Sequence, residues 1–185
     1  GDFTVNMGQG LIHWQSLAFK KSADITGLKR QSAVLRPYSS SGEFFFHRGA
    51  GITLSKGRFE YTAFISFRKL SANHVTDTVS GEEFISSVIT SGYHRTQAEQ
   101  ADRNRLRQTA LGSSFAYKVK DGQVAINGVA YLFSLPLKKR EEPYNLFAIS
   151  GKKWFNMSAD YSYTYKNLHY FGEAAVDKDL NTAFI

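Results

Sequence analysis

The chain has 185 residues, no cysteine, three prolines and a formal net charge of +7. The absence of cysteine excludes disulfide frameworks, thiolate metal sites and cysteine nucleophiles. Aromatic residues make up 15% of the chain, ten Tyr and fifteen Phe among them, and with so little proline this favours pleated strands over helices or disorder. No run approaches the about 18 consecutive apolar residues that a membrane helix needs; barrel strands, apolar only at alternate positions, escape that test. Gly1 to Gly10 has neither the basic start nor the apolar centre of a signal peptide, so the start of the gene product is expected elsewhere.

In chain order, Phe3, Val5 and Met7 alternate with Asp2, Thr4 and Asn6, predicting a strand over 2–8. After a long connection, 9–42, strands over 43–55 and 58–69 meet in a turn near Ser55-Lys56-Gly57. The second of these puts Phe59, Tyr61, Ala63, Ile65 and Phe67 on one face. Arg58, Glu60, Thr62, Ser66 and Arg68 lie on the other, interrupted by Phe64. A second long connection, 71–110, contains Thr96-Gln97-Ala98-Glu99, the spacing of a capping box, and good helix formers follow to Thr109. A short helix is predicted there, with Arg103 and Arg107 on one face and Glu99 within reach of Arg103.

Strands over 111–120 and 123–133 are expected to join at Asp121-Gly122, a dipeptide suited to the positive φ angles of a type I′ turn. Beyond the third long connection, 134–153, the alternation is clearest. Strands over 154–165 and 168–177 flank Lys166-Asn167, and a two-residue turn sets Tyr165 opposite Leu168 and Tyr163 opposite Tyr170.

Seven strands are thus expected, with three tight turns at one end and three long connections at the other. That asymmetry is the pattern of outer-membrane barrels and is not required of soluble sandwiches or lipocalins. The reading is an all-β, antiparallel, up-and-down transmembrane β-barrel in the bacterial outer membrane. Its outward rows would be Phe, Tyr, Val, Ile, Ala and Gly, with tyrosines at a membrane interface. Its inward rows, rich in Ser, Thr, Asn, Asp, Glu, Lys and Arg, would suit a hydrated or plugged lumen. Barrels of this kind have an even number of strands, from about eight upward, so seven imply a segment of a larger barrel. The alternative is a soluble antiparallel sheet with one wet face.

Candidate binding residues lie in the connections. Lys20, Lys21, Lys29 and Arg30 make the first one basic, and Lys138, Lys139 and Arg140 the third, with aromatic residues interspersed. His94 and Arg95 precede the predicted helix, and Arg103 and Arg107 follow. Such a set could meet the phosphates of nucleic acid or of lipopolysaccharide, or be solvated loop charge without a ligand. The five histidines show no ligand spacing and no nucleophile motif surrounds a serine, so neither enzyme activity nor a metal or other cofactor is expected.

Several phrases carry a family likeness: Gly1-Asp2-Phe3, Gly8-Gln9-Gly10-Leu11, Phe19-Lys20-Lys21-Ser22, Arg36-Pro37-Tyr38, and Ser91-Gly92-Tyr93-His94-Arg95-Thr96 with Glu99. Together they resemble an outer-membrane barrel family of Bacteroidota whose members carry a helix-hairpin-helix region, similar to that of competence DNA-uptake proteins, ahead of a long barrel. The resemblance covers most of the first 112 residues and implies that this chain matches an internal part of the barrel, without the helix-hairpin-helix region. The function expected is an outer-membrane channel or translocation component in contact with membrane lipid and lipopolysaccharide. It would engage DNA or another polyanion through basic loops, with or without further subunits of an outer-membrane complex. A passive porin for small solutes and a surface-binding or adhesion barrel are the alternatives.

Overall fold

The computed structural model describes residues 1–12, 33–39, 44–77, 81–92, 94–140, 142–145 and 148–185. The strands are β1 (Asp2–Val5), β2 (Leu35–Pro37), β3 (His47–Lys56), β4 (Phe59–Leu70), β5 (Ala72–Thr76), β6 (Glu83–Val88), β7 (Leu106–Val119), β8 (Gly122–Leu137), β9 (Gly151–Tyr165), β10 (Leu168–Asp177) and β11 (Thr182–Phe184). One short helix, α1 (Gln97–Ala101), and a 3-10 turn, Pro143–Asn145, complete them. The sheet runs in the order β11-β10-β9-β8-β7-β4-β3-β1-β2, antiparallel along this path; the β5–β6 hairpin branches off it, with β6 meeting β8 in parallel at Ile85–Leu137. The sheet is open: it is not closed into a barrel.

The expected hairpins form, and their turns share one end of the sheet, with the long connections at the other. Tyr165 pairs with Leu168 and Tyr163 with Tyr170, as the alternation requires. Strand length and turn position differ elsewhere. The segment 71–110 is not one loop, since β5, β6, α1 and the first residues of β7 lie within it, and β2 falls inside 9–42. The first strand is shorter than 2–8 because the chain turns away after Val5.

The predicted helix stops at Ala101, where Asp102 caps it. Leu106 to Thr109 are competent helix formers, but they continue a ladder with β4 in which Leu106 pairs with Leu70 and Thr109 with Phe67. Leu106 is fully buried there, and tertiary pairing overrides local propensity. Arg103 and Arg107 therefore do not share a helix face.

At the β7–β8 turn the central residues are Lys120 and Asp121, because Val119 pairs with Gly122. Neither central residue has a positive φ, so the type I′ expectation is not met. Gly122 answers a different need: a Cβ there would stand 2.4 Å from the Ser162 carbonyl oxygen, so its absence lets β9 approach. The outward and inward rows are unaffected, because the two registers share the same parity.

Candidate functional site

Strand parity separates two surfaces. On the outward rows, the ladder aligns Tyr61, Phe115, Ile126, Ala159 and Ala174 at one level. Ile65, Leu111, Ala130 and Phe155 form another. From Phe67, Leu111, Leu132, Phe155 and Val176 down to the turns, the outward rows of β4 and β7 to β10 carry no charged residue. Twenty large apolar side chains on the outward rows of β3, β4 and β7 to β10 are exposed. These side chains are about half exposed, so each forgoes roughly half of the 1.5–3 kcal/mol that full burial of a large apolar side chain gives. Summed over that face, the forgone burial is at least as large as the net stability of an ordinary domain, about 5–15 kcal/mol. Tyr61, Tyr117, Tyr161, Tyr163, Tyr165 and Tyr170 gather toward the turn end, where phenol hydroxyls can reach water while the rings stay in an apolar layer.

The opposite, concave rows bury Thr62, Ser66, Ser114, Asn127, Ser158, Asp160, Ser162 and Glu173. The Asn127 amide Nδ2 donates to Asp160 Oδ2 at 2.6 Å and to Ser158 Oγ at 3.3 Å. Thr53 and Thr62 share a hydroxyl contact of 3.0 Å across β3 and β4, and Lys118 Nζ meets Glu60 Oε2 at 2.7 Å. Of these, Thr53, Glu60, Lys118, Asn127 and Asp160 border a cavity of about 670 Å³ at the turn end, reached also by Ser114, Gln123 and His169. Its wall mixes Lys118 and Lys120 with Glu60, Asp121 and Asp160, so it is not a basic channel.

The loop-end half of the concavity is different. Leu70, Leu106, Ala110, Val129, Tyr131, Phe133 and Trp154 of the sheet pack with Ala72 and Ile85 of the β5–β6 hairpin and with Val5, Met7 and Ile12. This half holds a packed apolar core beside the buried Arg68 and Gln108, where the alternation predicted an inward row rich in polar residues and broken by Phe64. Phe64, the apolar interruption of the inward row on β4, belongs to it.

Between the two halves lies the Gly8-Gln9-Gly10-Leu11 turn. Glu173 Oε2 accepts from the backbone N–H groups of Gln9 at 2.7 Å and Leu11 at 3.0 Å. Asn156 Nδ2 donates to the Ile12 carbonyl at 2.9 Å. Gly8, at φ +55°, lies so close to the Glu173 carboxylate that a Cβ would overlap it. Glu173, 3% exposed, thus binds the first segment of the chain into the concavity.

The loop candidates divide. Lys20, Lys21, Lys29 and Arg30 lie outside the described residues. His94 is engaged within its own connection: Nδ1 lies 3.1 Å from the Glu99 carbonyl, which can only accept, and Nε2 lies 3.4 Å from Ser71 Oγ. Its role is to hold the loop. Arg95 meets Glu99 through its backbone N–H at 2.6 Å, within the capping box that Thr96 and Glu99 complete. Arg103, Lys138, Lys139 and Arg140 are exposed, with Lys138 Nζ 5.7 Å from the centre of the Phe84 ring. Arg107 stands apart, on β7. Sequence reasoning did not single out Asn127, Asp160, Glu173 or Lys69, whose neighbours come from distant strands. Among the described residues no group of three or more His, Asp or Glu side chains is placed to hold a metal.

The N–H groups of Arg95 and Thr96 hold the Glu99 carboxyl below its ordinary value of 4.5. A carboxyl depressed on folding adds stability that is complete above its unfolded value and is lost as pH falls through the lower, folded one. Protection of the Arg95 amide, corrected for intrinsic exchange, is expected to be constant above pH 4.5 and to decline on acidification below it. Glu99→Gln should flatten that profile; an unchanged profile would show that the carboxylate does not secure the loop.

Comparison with protein-family models, with curated proteins and with solved structures finds no match for this chain.

Proposed function

We propose that this chain is part of the wall of an outer-membrane β-barrel that acts as a channel or translocation component, its lumen occluded by the Gly8–Leu11 turn. The observation that carries the reading is the inverted sheet: large apolar side chains face outward while Ser, Thr, Asn, Asp and Glu face the concavity. A soluble antiparallel sheet buries the first kind and wets the second. The dimensions support it. Thr109 to Val119 spans ten residue steps, about 33 Å along the strand. At the tilt of about 40° usual in such barrels, that is about 25 Å of height, the thickness of their apolar band. The Bacteroidota resemblance enters as part of the same proposal. Polyanion engagement falls to the exposed loop cations Arg103, Lys138, Lys139 and Arg140, since the concavity is not basic.

The packed apolar half of the concavity favours a second reading, a surface-binding barrel that conducts nothing. Planar-bilayer recording on the intact protein separates the two. Discrete conductance steps are expected from a channel, including a channel with an intermittent plug. Inserted protein that passes no current would overturn transport and leave the surface-binding reading.

A further inference from the structure

On the outward face, at the loop-end rim of the apolar band, lies an open depression of about 820 Å³. Lys69 of β4 and Arg107 of β7 stand directly opposite each other on its upper edge. Like charges in that relation repel, and among the described residues neither has a carboxylate partner. Phe67 and Leu132 lie one outward position nearer the turns, each exposed; Thr109 and Ser134 add hydroxyls, and Arg68, Gln108 and Phe133 of the inward rows also reach the lining. Lys153 is the ladder partner of Leu132 and adds a third cation on the next strand. Arg48, at the other wall, is already neutralised by Asp2, with contacts of 2.8 and 2.9 Å.

Two opposed cations without a counter-ion, set immediately above exposed apolar side chains on the same face, ask for a ligand with an anionic head and an apolar body. We infer that Lys69 and Arg107, with Lys153 alongside, bind the phosphate of a phosphorylated acyl lipid of the outer leaflet, of the lipid A class. The acyl chains would run down over Phe67 and Leu132. Arg107 supplies a planar fork for two phosphate oxygens and Lys69 a mobile point charge. The inference rests on the membrane reading above and names the lipid and residues that reading leaves open. A nucleic acid is the weaker fit, because its bases would have to lie along a face that continues into an uninterrupted apolar band.

The test uses the intact protein offered to phosphatidylcholine nanodiscs with or without bisphosphorylated lipid A. Entry into the neutral discs is scored first, and failure to enter overturns the membrane reading together with this inference. For inserted protein, retained lipid A is measured by native mass spectrometry. Lys69→Gln with Arg107→Gln is expected to weaken retention about thirtyfold, whereas Lys69→Arg with Arg107→Lys keeps most of it. The glutamine pair removes a repulsion, so folding is not at risk. Equal retention by the glutamine variant, equal retention of dephosphorylated lipid A, or release by millimolar inorganic phosphate would each overturn the lipid assignment while the membrane reading stands. Tighter binding of a single-stranded oligonucleotide by the same pair would transfer the site to nucleic acid.

Discussion

Met157→Arg is expected to lower the stability of the intact protein in phospholipid vesicles by about 2–4 kcal/mol, the cost of a cation near the bilayer midplane on a lipid-facing strand. Met157 is 50% exposed and lies on β9 at the level of Gly128, about midway between the rim at Lys69 and the turns. On a water-facing surface the same substitution, between unbranched side chains of similar size, changes stability by no more than about 0.5 kcal/mol. The two settings therefore differ by several-fold in one measurement, the urea midpoint of variant against wild type. Met157→Leu serves as the control and should be silent. A silent arginine would show that this face meets water, and the barrel proposal would have to be withdrawn.

Glu173→Leu should release the Gly8–Leu11 turn. The substitution removes the acceptor for the Gln9 and Leu11 N–H groups at a site that is 3% exposed. Each hydrogen bond to a charged group contributes about 1.5–3 kcal/mol, so with two bonds a loss of about 3–6 kcal/mol in docking is expected. Amide exchange at Gln9 and Leu11 reads it directly, and protection equal to wild type would show that Asn156 and the packing of Met7 and Ile12 hold the segment without the carboxylate. Glu173→Gln, which keeps an acceptor oxygen, should lose less. If the turn blocks a conducting lumen, bilayer recordings of Glu173→Leu will show longer or larger openings than wild type.

Alternation made the long strands legible, because parity needs only one strand and one turn. The Tyr165–Leu168 register is an example: apolar rows on both sides of Lys166-Asn167 can coincide in only one way. Parity also survived the misplaced turn at Asp121-Gly122. What was not legible depends on partners far along the chain. Nothing local to Leu106–Thr109 announces that β4 will capture these residues, and their composition suits a helix. The β5–β6 hairpin is short, and its register shifts between Asn73 and His74, which breaks the alternation that would reveal it. Lys69 and Arg107 are unremarkable apart, and their opposition exists only once β4 and β7 pair across the 71–105 segment. The Glu173 contact is the extreme case, since neither Gly8-Gln9-Gly10 nor Phe171-Gly172-Glu173 carries any mark of the other.

That contact also bears on the order in which the molecule assembles. Gln9 and Glu173 are separated by 164 residues, and the entropic cost of closing a loop rises with its length, so their meeting must follow local pairing. The hairpins can zip by short-range steps, but the carboxylate is in position only after β10 has added to β9. Until then the Glu173 carboxylate is not in place to accept from the two amides of the leading segment. Docking of the Gly8–Leu11 turn on Glu173 is therefore expected to follow formation of the β9–β10 hairpin.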